Sequence, residues 1–391
     1  MKAKEETTLD FRLSEEHEML KKSVRRFAEQ ELAPRARELD EKEEFPWDVL
    51  KKAAALGFVG SYLPVEYGGG GGDLFTKAII YEEFVRACFG FNLSLNASDL
   101  LFANNVVKAG TEAQRRKYLP PVLAGEVLGC WALTEPESGS DALSITSNCV
   151  RDGDHFVLNG QKTFITNAPA AQFFIVICRE PGSSKMQGGT AFILERGMQG
   201  LATGSKMPKM GGRCSPTGEI FMADLKVHRD QVLGEPGRAF QQMMKSLDVE
   251  RSLTPFSSIG IAQACLESAL AYSVERRQFG KPICEHQLIR EKLARIATGV
   301  EIARTFAYKV VWMVEQKLPV TKEAAMIKYY ASRMVQHAAH DALQVLGGYG
   351  YIREYPVERY LRDARLLEIG AGTTEIQKLV IARELLKELG K

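Results

Sequence analysis

At 391 residues, against about 150 per domain, the chain is long enough for two or three domains. Hydrophobic residues make up 45% and charged residues 26%, the balance of an ordinary soluble globular protein, and 51 Lys and Arg against 49 Asp and Glu leave no global field favouring nucleic acid or an anionic membrane. No stretch reaches the roughly 18 apolar residues of a membrane span.

The start, MKAKEETTLDF, lacks the apolar core of a signal peptide and is too acidic for a transit peptide, so a cytoplasmic location is expected. Residues 14–130 read mostly as helix, with Leu20, Val24, Phe27 and Leu32 at helical spacing among charges. A run from Gly68 to Gly72 interrupts them and is expected to be a flexible loop; it lacks the lysine and hydroxyl of a phosphate-cradling loop. On the helix near 90–107, Asn92, Asn96 and Asp99 fall at i, i+4 and i+7 among apolar residues, one polar stripe that meets solvent or lines a cavity.

From about 131 the period changes to two. His155–Leu158, then Asn159-Gly160, then Gln161–Thr166 predicts a β-hairpin, because Asn-Gly suits the positive φ angles of a type I′ turn. Phe173–Ile177, Thr190–Leu194 and Glu219–Val227 are further strands of a middle antiparallel block. Long helices return over Phe256–Glu275, His286–Gln316, Thr321–Leu346 and Glu375–Leu389. The expected fold is of the α+β class: a helical domain at 1–130, an antiparallel β domain at 131–240 and a helical bundle at 241–391. Seven scattered cysteines without a CxxC pair fit a reducing compartment, and the histidines, His337 and His340 included, have no metal-ligand spacing, so no metal is expected.

Six strings, in order over nearly the whole chain, resemble signatures of the acyl-CoA dehydrogenase family. They are Leu133-Thr-Glu-Pro-Glu-Ser-Gly-Ser-Asp141, Lys162-Thr-Phe-Ile-Thr-Asn167, Glu275-Arg-Arg-Gln-Phe-Gly-Lys281, Gln344-Val-Leu-Gly-Gly-Tyr-Gly350, Tyr360-Leu-Arg-Asp-Ala364 and Gly370-Ala-Gly-Thr-Thr-Glu-Ile376. The resemblance implies FAD, a helical–β–helical subunit, α,β-dehydrogenation of an acyl-CoA thioester, an electron-transferring flavoprotein as acceptor, and a homotetramer with FAD at a subunit interface. By similarity, Leu133 and Thr134 face the flavin's pyrimidine end, Thr166 sits near N5, and Phe164 takes a wall position where many relatives have Trp. Gly139 and Ser140 let the backbone approach the cofactor and the pantetheine arm. Arg276, Gln278 and Phe279, with Gln287, match positions reaching a neighbouring subunit's FAD, while Gln344, Gly348, Thr373 and Glu375 match contributions of the closing segments.

The family's loop before Gly-Thr commonly carries a glutamate base; this sequence has Ala371 there, whose backbone N–H is still expected to polarise the thioester carbonyl. Glu368, three residues earlier, matches a non-catalytic position. Leu247-Asp-Val-Glu-Arg251 resembles the helix start of isovaleryl-CoA dehydrogenase, which also reads Gly-Ala-Gly-Thr in its loop. Glu250 matches that base, and Asp248 and Arg251 are expected beside the substrate, as is Asn96 on the acyl-pocket helix. The competing base is Asp99, whose helix resembles one that members acting on cyclohexene-carboxyl-CoA use for a 1,4-dehydrogenation. Glu250 favours 1,2-dehydrogenation of a branched or cyclic acyl-CoA. A flavin oxidase or monooxygenase of the same fold, and a non-catalytic FAD scaffold, are the rival readings.

Overall fold

The computed structural model describes residues 13–183 and 186–390. The N-terminal stretch read for targeting signals lies outside the described residues.

The first third is helical, as its spacing predicts. Helix α1 (Glu15–Phe27) starts where the Ser14 hydroxyl accepts from the His17 N–H at 3.2 Å, and it buries Val24 and Phe27. A π-helical turn, Ala28–Leu32, then re-aims the chain so that Leu32 is buried as well. Helix α2 (Leu74–Ala87) is enclosed on every side: Ile80 and Phe84 join the core beneath the sheet, whereas Tyr81 and Val85 join the core of the C-terminal helices. One helix therefore cements both cores.

The glycine run is not a flexible loop. The N–H groups of Gly70, Gly71 and Gly72 donate to the carbonyls of Gly60, Leu63 and Ser61 at 3.1, 2.9 and 2.9 Å. A Cβ on Gly69 would come within 2.3 Å of the Leu63 carbonyl oxygen, so glycine is there for close backbone approach.

The middle of the chain forms one sheet of eight strands: β1 (Gly129–Ala132), β2 (Asn148–Asp152), β3 (His155–Thr166), β4 (Phe173–Arg179), β5 (Gly189–Glu195), β6 (Leu201–Thr203), β7 (Thr217–His228) and β8 (Val232–Leu233). Its order is β6-β7-β3-β2-β4-β5-β8, with β1 beside β4. The pairing is mostly antiparallel, but β1 runs parallel to β4, so the sheet is mixed. The expected hairpin at Asn159-Gly160 is absent. β3 runs through that dipeptide as a single strand of 12 residues along β7, with a register shift between Leu158 and Gly160. The Asn159 side chain instead bonds Asp224 on β7, accepting from its N–H at 2.8 Å and donating to its carboxylate at 3.1 Å. Asn-Gly here makes a bulge, not a turn.

The last third packs α3 (Ala239–Leu253), α4 (Pro255–Glu275), α5 (Gln287–Glu315), α6 (Thr321–Leu346), α7 (Val357–Ala364) and α8 (Thr374–Glu388) into a bundle. Between α4 and α5 stands a small ribbon of β9 (Arg277–Gln278) and β10 (Lys281–Pro282). Phe279 (φ 51°) and Gly280 (φ 79°) form its two-residue turn, both in the left-handed region that such a turn requires.

Candidate active site

Glu250 lies near the C-terminal end of α3, where its residue exposure falls to 9%. Among the described residues no donor reaches its carboxylate; only its backbone carbonyl is engaged, by the Thr254 N–H and hydroxyl at 2.8 and 2.9 Å. Burial penalises the charged form and pushes the carboxyl up to about 7, against the pull of Arg251 and Lys328. Its neighbours are tied down: Arg251 pairs with Asp248 at 3.4 Å, and Asp248 accepts the Thr321 hydroxyl at 2.8 Å. The Arg251 Nε is buried with no partner.

The loop after Glu368 closes on this corner. Ala371 has φ 55°, a left-handed conformation that costs an ordinary residue about 1–2 kcal/mol. It is held because Gln377 Nε2 donates to the Ala371 and Gly372 carbonyls at 3.4 and 3.1 Å and Lys328 Nζ donates to Gly372 at 2.6 Å. The Ala371 N–H itself has no acceptor among the described residues. Thr373 caps α8, its hydroxyl accepting from the Ile376 N–H at 3.3 Å, and Glu375 is exposed beside it. Glu368 is buried between Arg333 and Arg365, a neutralised structural carboxylate.

Asp99 is neither exposed nor free. The chain from Ala97 to Ala103 is π-helical, so the α-helical register that aligned Asp99 with Asn92 and Asn96 stops at Asn96. Lys77 Nζ reaches both Asp99 oxygens, at 2.9 and 2.6 Å, and the Gly60 N–H reaches one of them at 3.3 Å. Burial raises the Asp99 carboxyl while the Lys77 ammonium opposes the shift. Asn92 and Asn96 are buried too, each with amide atoms lacking a partner.

The sheet supplies a second group of residues. Leu133 is buried and Thr134 half-buried at the end of β1, where the Thr134 carbonyl accepts from the Thr163 N–H at 2.9 Å. Glu135 anchors the turn that follows, accepting from the Thr146 and Ser147 N–H groups and from buried Lys162 at 2.7 Å. Gly139 and Ser140 are thereby left exposed, with nothing within 4 Å of a Cβ built on Gly139. A second register shift between Lys162 and Ile165 turns Phe164 outward, 69% exposed at φ 57°, with half-buried Thr166 two residues on. An exposed aromatic face beside a hydroxyl and an open glycine turn fits a planar cofactor ring.

The third group is remote from the sheet. Arg276, Gln278, Phe279 and Gly348 line a cavity of about 660 Å³ together with His286 and Tyr349, and none of the sheet residues lines it. Arg276 lies 5.8 Å over the Tyr349 ring, and Phe279 is 93% exposed at the tip of its ribbon. Gln344 and Gln287 are exposed on α6 and at the start of α5, outside that lining. A guanidinium, amides and glycine N–H groups form a donor set suited to a nucleotide diphosphate.

Sequence reasoning missed Lys328, Gln377, Asn167 and the Glu135–Lys162 pair. A lysine inside the apolar pattern of α6 was the signal for Lys328, since lysine is rarely buried unpaired, and Glu135, Lys162 and Asn167 stood within the quoted strings without a role of their own.

Three family models cover nearly the whole chain: acyl-CoA dehydrogenase N-terminal domain over residues 14–126, middle domain over 130–225 and C-terminal domain over 237–386. A probable acyl-CoA dehydrogenase of Bacillus subtilis, YngJ, is 42% identical, covering 97% of this chain and 100% of its own. Subunit CarC of a caffeyl-CoA reductase–Etf complex from Acetobacterium woodii is 40% identical, over 96% of this chain and 99% of its own. The structure of butyryl-CoA dehydrogenase from Megasphaera elsdenii superposes with a TM-score of 0.93 at 38% identity, covering 97% of this chain and 100% of that one. The chain belongs to the acyl-CoA dehydrogenase family, FAD-dependent oxidoreductases that dehydrogenate acyl-CoA thioesters.

Proposed function

We propose that this enzyme oxidises a saturated, branched or cyclic acyl-CoA to the α,β-enoyl-CoA with Glu250 as the base. The observation that carries the reading is a buried carboxylate without a direct partner, poised at about 7, beside a loop whose usual carboxylate position is Ala371. Bound FAD, held by Leu133, Thr134, Phe164 and Thr166, would supply the hydride acceptor. Glu250 takes the α-proton, and desolvation makes it a stronger base than a solvated glutamate. The Ala371 N–H donates to the thioester carbonyl, where negative charge develops as the proton leaves. Ser140 and Gly139 border the pantetheine arm, and Arg251, braced by Asp248, balances charge beside Glu250. Asn96 borders the acyl group.

The Asp99 alternative, 1,4-dehydrogenation of a cyclohexene-carboxyl-CoA, loses support because Lys77 already engages both Asp99 oxygens. The poised Glu250 weighs against an oxidase or an inert scaffold. An electron-transferring flavoprotein is the proposed acceptor, in keeping with a relative named as part of an Etf complex. The remote cavity and exposed Phe279 support a homotetramer in which Arg276, Gln278 and Phe279, with Gln287, reach a neighbour's FAD, while Gln344, Gly348, Thr373 and Glu375 contribute from the closing segments.

The test is anaerobic bleaching of the flavin by isovaleryl-, butyryl-, cyclohexanecarboxyl- and cyclohexene-carboxyl-CoA. Bleaching by a saturated branched or cyclic ester, lost in Glu250→Gln, is the expected result. Bleaching by the cyclohexene ester alone would transfer the role to Asp99, and no bleaching of FAD-loaded protein would sink the dehydrogenase reading for this panel.

A further inference from the structure

We propose that Lys328 is the positioning residue of this site: it clamps the Ala371 loop through the Gly372 carbonyl and offsets the charge of Glu250 without neutralising it. The proposal rests on the reading of Glu250 as base.

Lys328 sits on α6 with 1% of its surface exposed. A buried ammonium normally takes a carboxylate partner. Among the described residues Lys328 takes none; its bond goes to a neutral carbonyl, Gly372 O, at 2.6 Å. Glu250, also buried, likewise has no ion-pair partner, although the two attract one another. The contrast within the same molecule is Lys77–Asp99, which is equally buried and has closed to 2.6 Å. A structural pair collapses in this way. Lys328 and Glu250 stay apart because the loop carbonyl holds the ammonium.

Two consequences follow from that arrangement. Gly372 O receives both Lys328 and Gln377, and Gln377 also reaches the Ala371 carbonyl, so the two peptides that follow Ala371 are held in place, while the Ala371 N–H has no acceptor among the described residues. The positive charge also limits how far burial can raise Glu250, keeping part of the base ionised near neutrality. The other charged and titratable groups around this corner are accounted for. On α3, Arg251 is braced by Asp248; on α2, Tyr81 is buried, and Lys77 on the same helix is spent on Asp99. Beside Lys328, Glu368 is neutralised by Arg333 and Arg365, and Glu375 is exposed to solvent. Among the described residues, Lys328 is therefore the cation facing Glu250 that has no carboxylate partner of its own.

The experiment titrates the Glu250 carboxyl in FAD-loaded protein by infrared difference against Glu250→Gln, for wild type, Lys328→Gln and Lys328→Arg. This needs no substrate. Lys328→Gln is expected to raise the Glu250 pKa by about one unit, roughly a tenfold loss of ionised base below it, and Lys328→Arg to restore it. An unshifted Glu250 titration in Lys328→Gln, with FAD content and circular dichroism intact, overturns the proposal. If Lys328→Gln does not fold, the Lys328→Arg variant decides: an arginine that restores folding yet leaves the carboxyl shifted by a unit or more overturns it, and an unchanged titration upholds it. Single-turnover bleaching by isovaleryl-CoA separates the two ideas. Should Glu250→Gln bleach as fast as wild type while Lys328→Gln still shifts the carboxyl, the base assignment fails and the charge coupling stands.

Discussion

Glu250 and Asp99 are both buried carboxylates, and their partners decide what each can do. Asp99 has given both oxygens to Lys77. Glu250 has no donor on its carboxylate among the described residues and is pushed up to about 7, so it can take a proton near neutral pH. Glu250→Gln should lower kcat by roughly 10²–10⁴ with little loss of acyl-CoA binding, and Asp99→Asn should retain turnover, both read by single-turnover bleaching. Lys77→Met should cost about 3–5 kcal/mol by stranding a buried charge, with partial recovery in the Lys77→Met, Asp99→Asn double variant, checked by chemical denaturation. The Glu250 shift also fixes a sign. A carboxyl raised from 4.5 to about 7 leaves the folded state binding the proton more tightly than the unfolded chain. That contribution is fully present below 4.5 and is lost as pH rises towards 7, about 3 kcal/mol in all. Glu250→Gln should therefore raise the Tm relative to wild type at pH 8 but not at pH 4.5.

Secondary-structure elements carry the site residues to their places through a few irregular positions. The bulge between Lys162 and Ile165 exposes Phe164, and Asn167, at φ 73°, follows the end of β3. Its amide donates to the Ser94 carbonyl at 2.8 Å and the Gly129 carbonyl at 3.1 Å, stapling the sheet to the helix of Asn92 and Asn96. Asn167→Ala should destabilise by about 1–3 kcal/mol and loosen FAD, measured by thermal denaturation with and without added FAD. Long strands were legible from their alternation, but the Asn159-Gly160 turn was not what it spelled. A hairpin there would have gained one local turn, whereas β7 offers partners from His155↔His228 to Thr166↔Thr217. The turn with two left-handed residues sits instead at Phe279-Gly280, where phenylalanine hides the signal.

At the scale of the whole molecule, the residues matched to FAD fall into two groups that a single chain does not bring into one cavity. Phe279, 93% exposed at the edge of the remote cavity, is proposed to be covered by a second copy, because the residues matched to FAD otherwise remain divided between two places on one chain. Phe279→Ala should release FAD on dilution and shift light scattering towards smaller species, while excess FAD holds the wild-type assembly together by mass action. A wild-type monomer that retains FAD at high dilution would contradict this.

The sequence by itself determined the order of helical, sheet and helical blocks, the ends of the long helices, the family, and that position 371 carries no carboxylate, with Glu250 on α3 as the candidate proposed in its place. These are local or patterned properties, set by hydrophobic period and by short strings of neighbouring residues. Only the tertiary structure decided that the glycine run is tightly packed, that Asp99 is closed by Lys77, and that the Lys328 ammonium is bonded to Gly372 O. Each of those depends on groups from distant segments meeting in a low-dielectric interior. There a single hydrogen bond or missing partner changes a carboxylate from structural to reactive, and residue spacing carries no record of it.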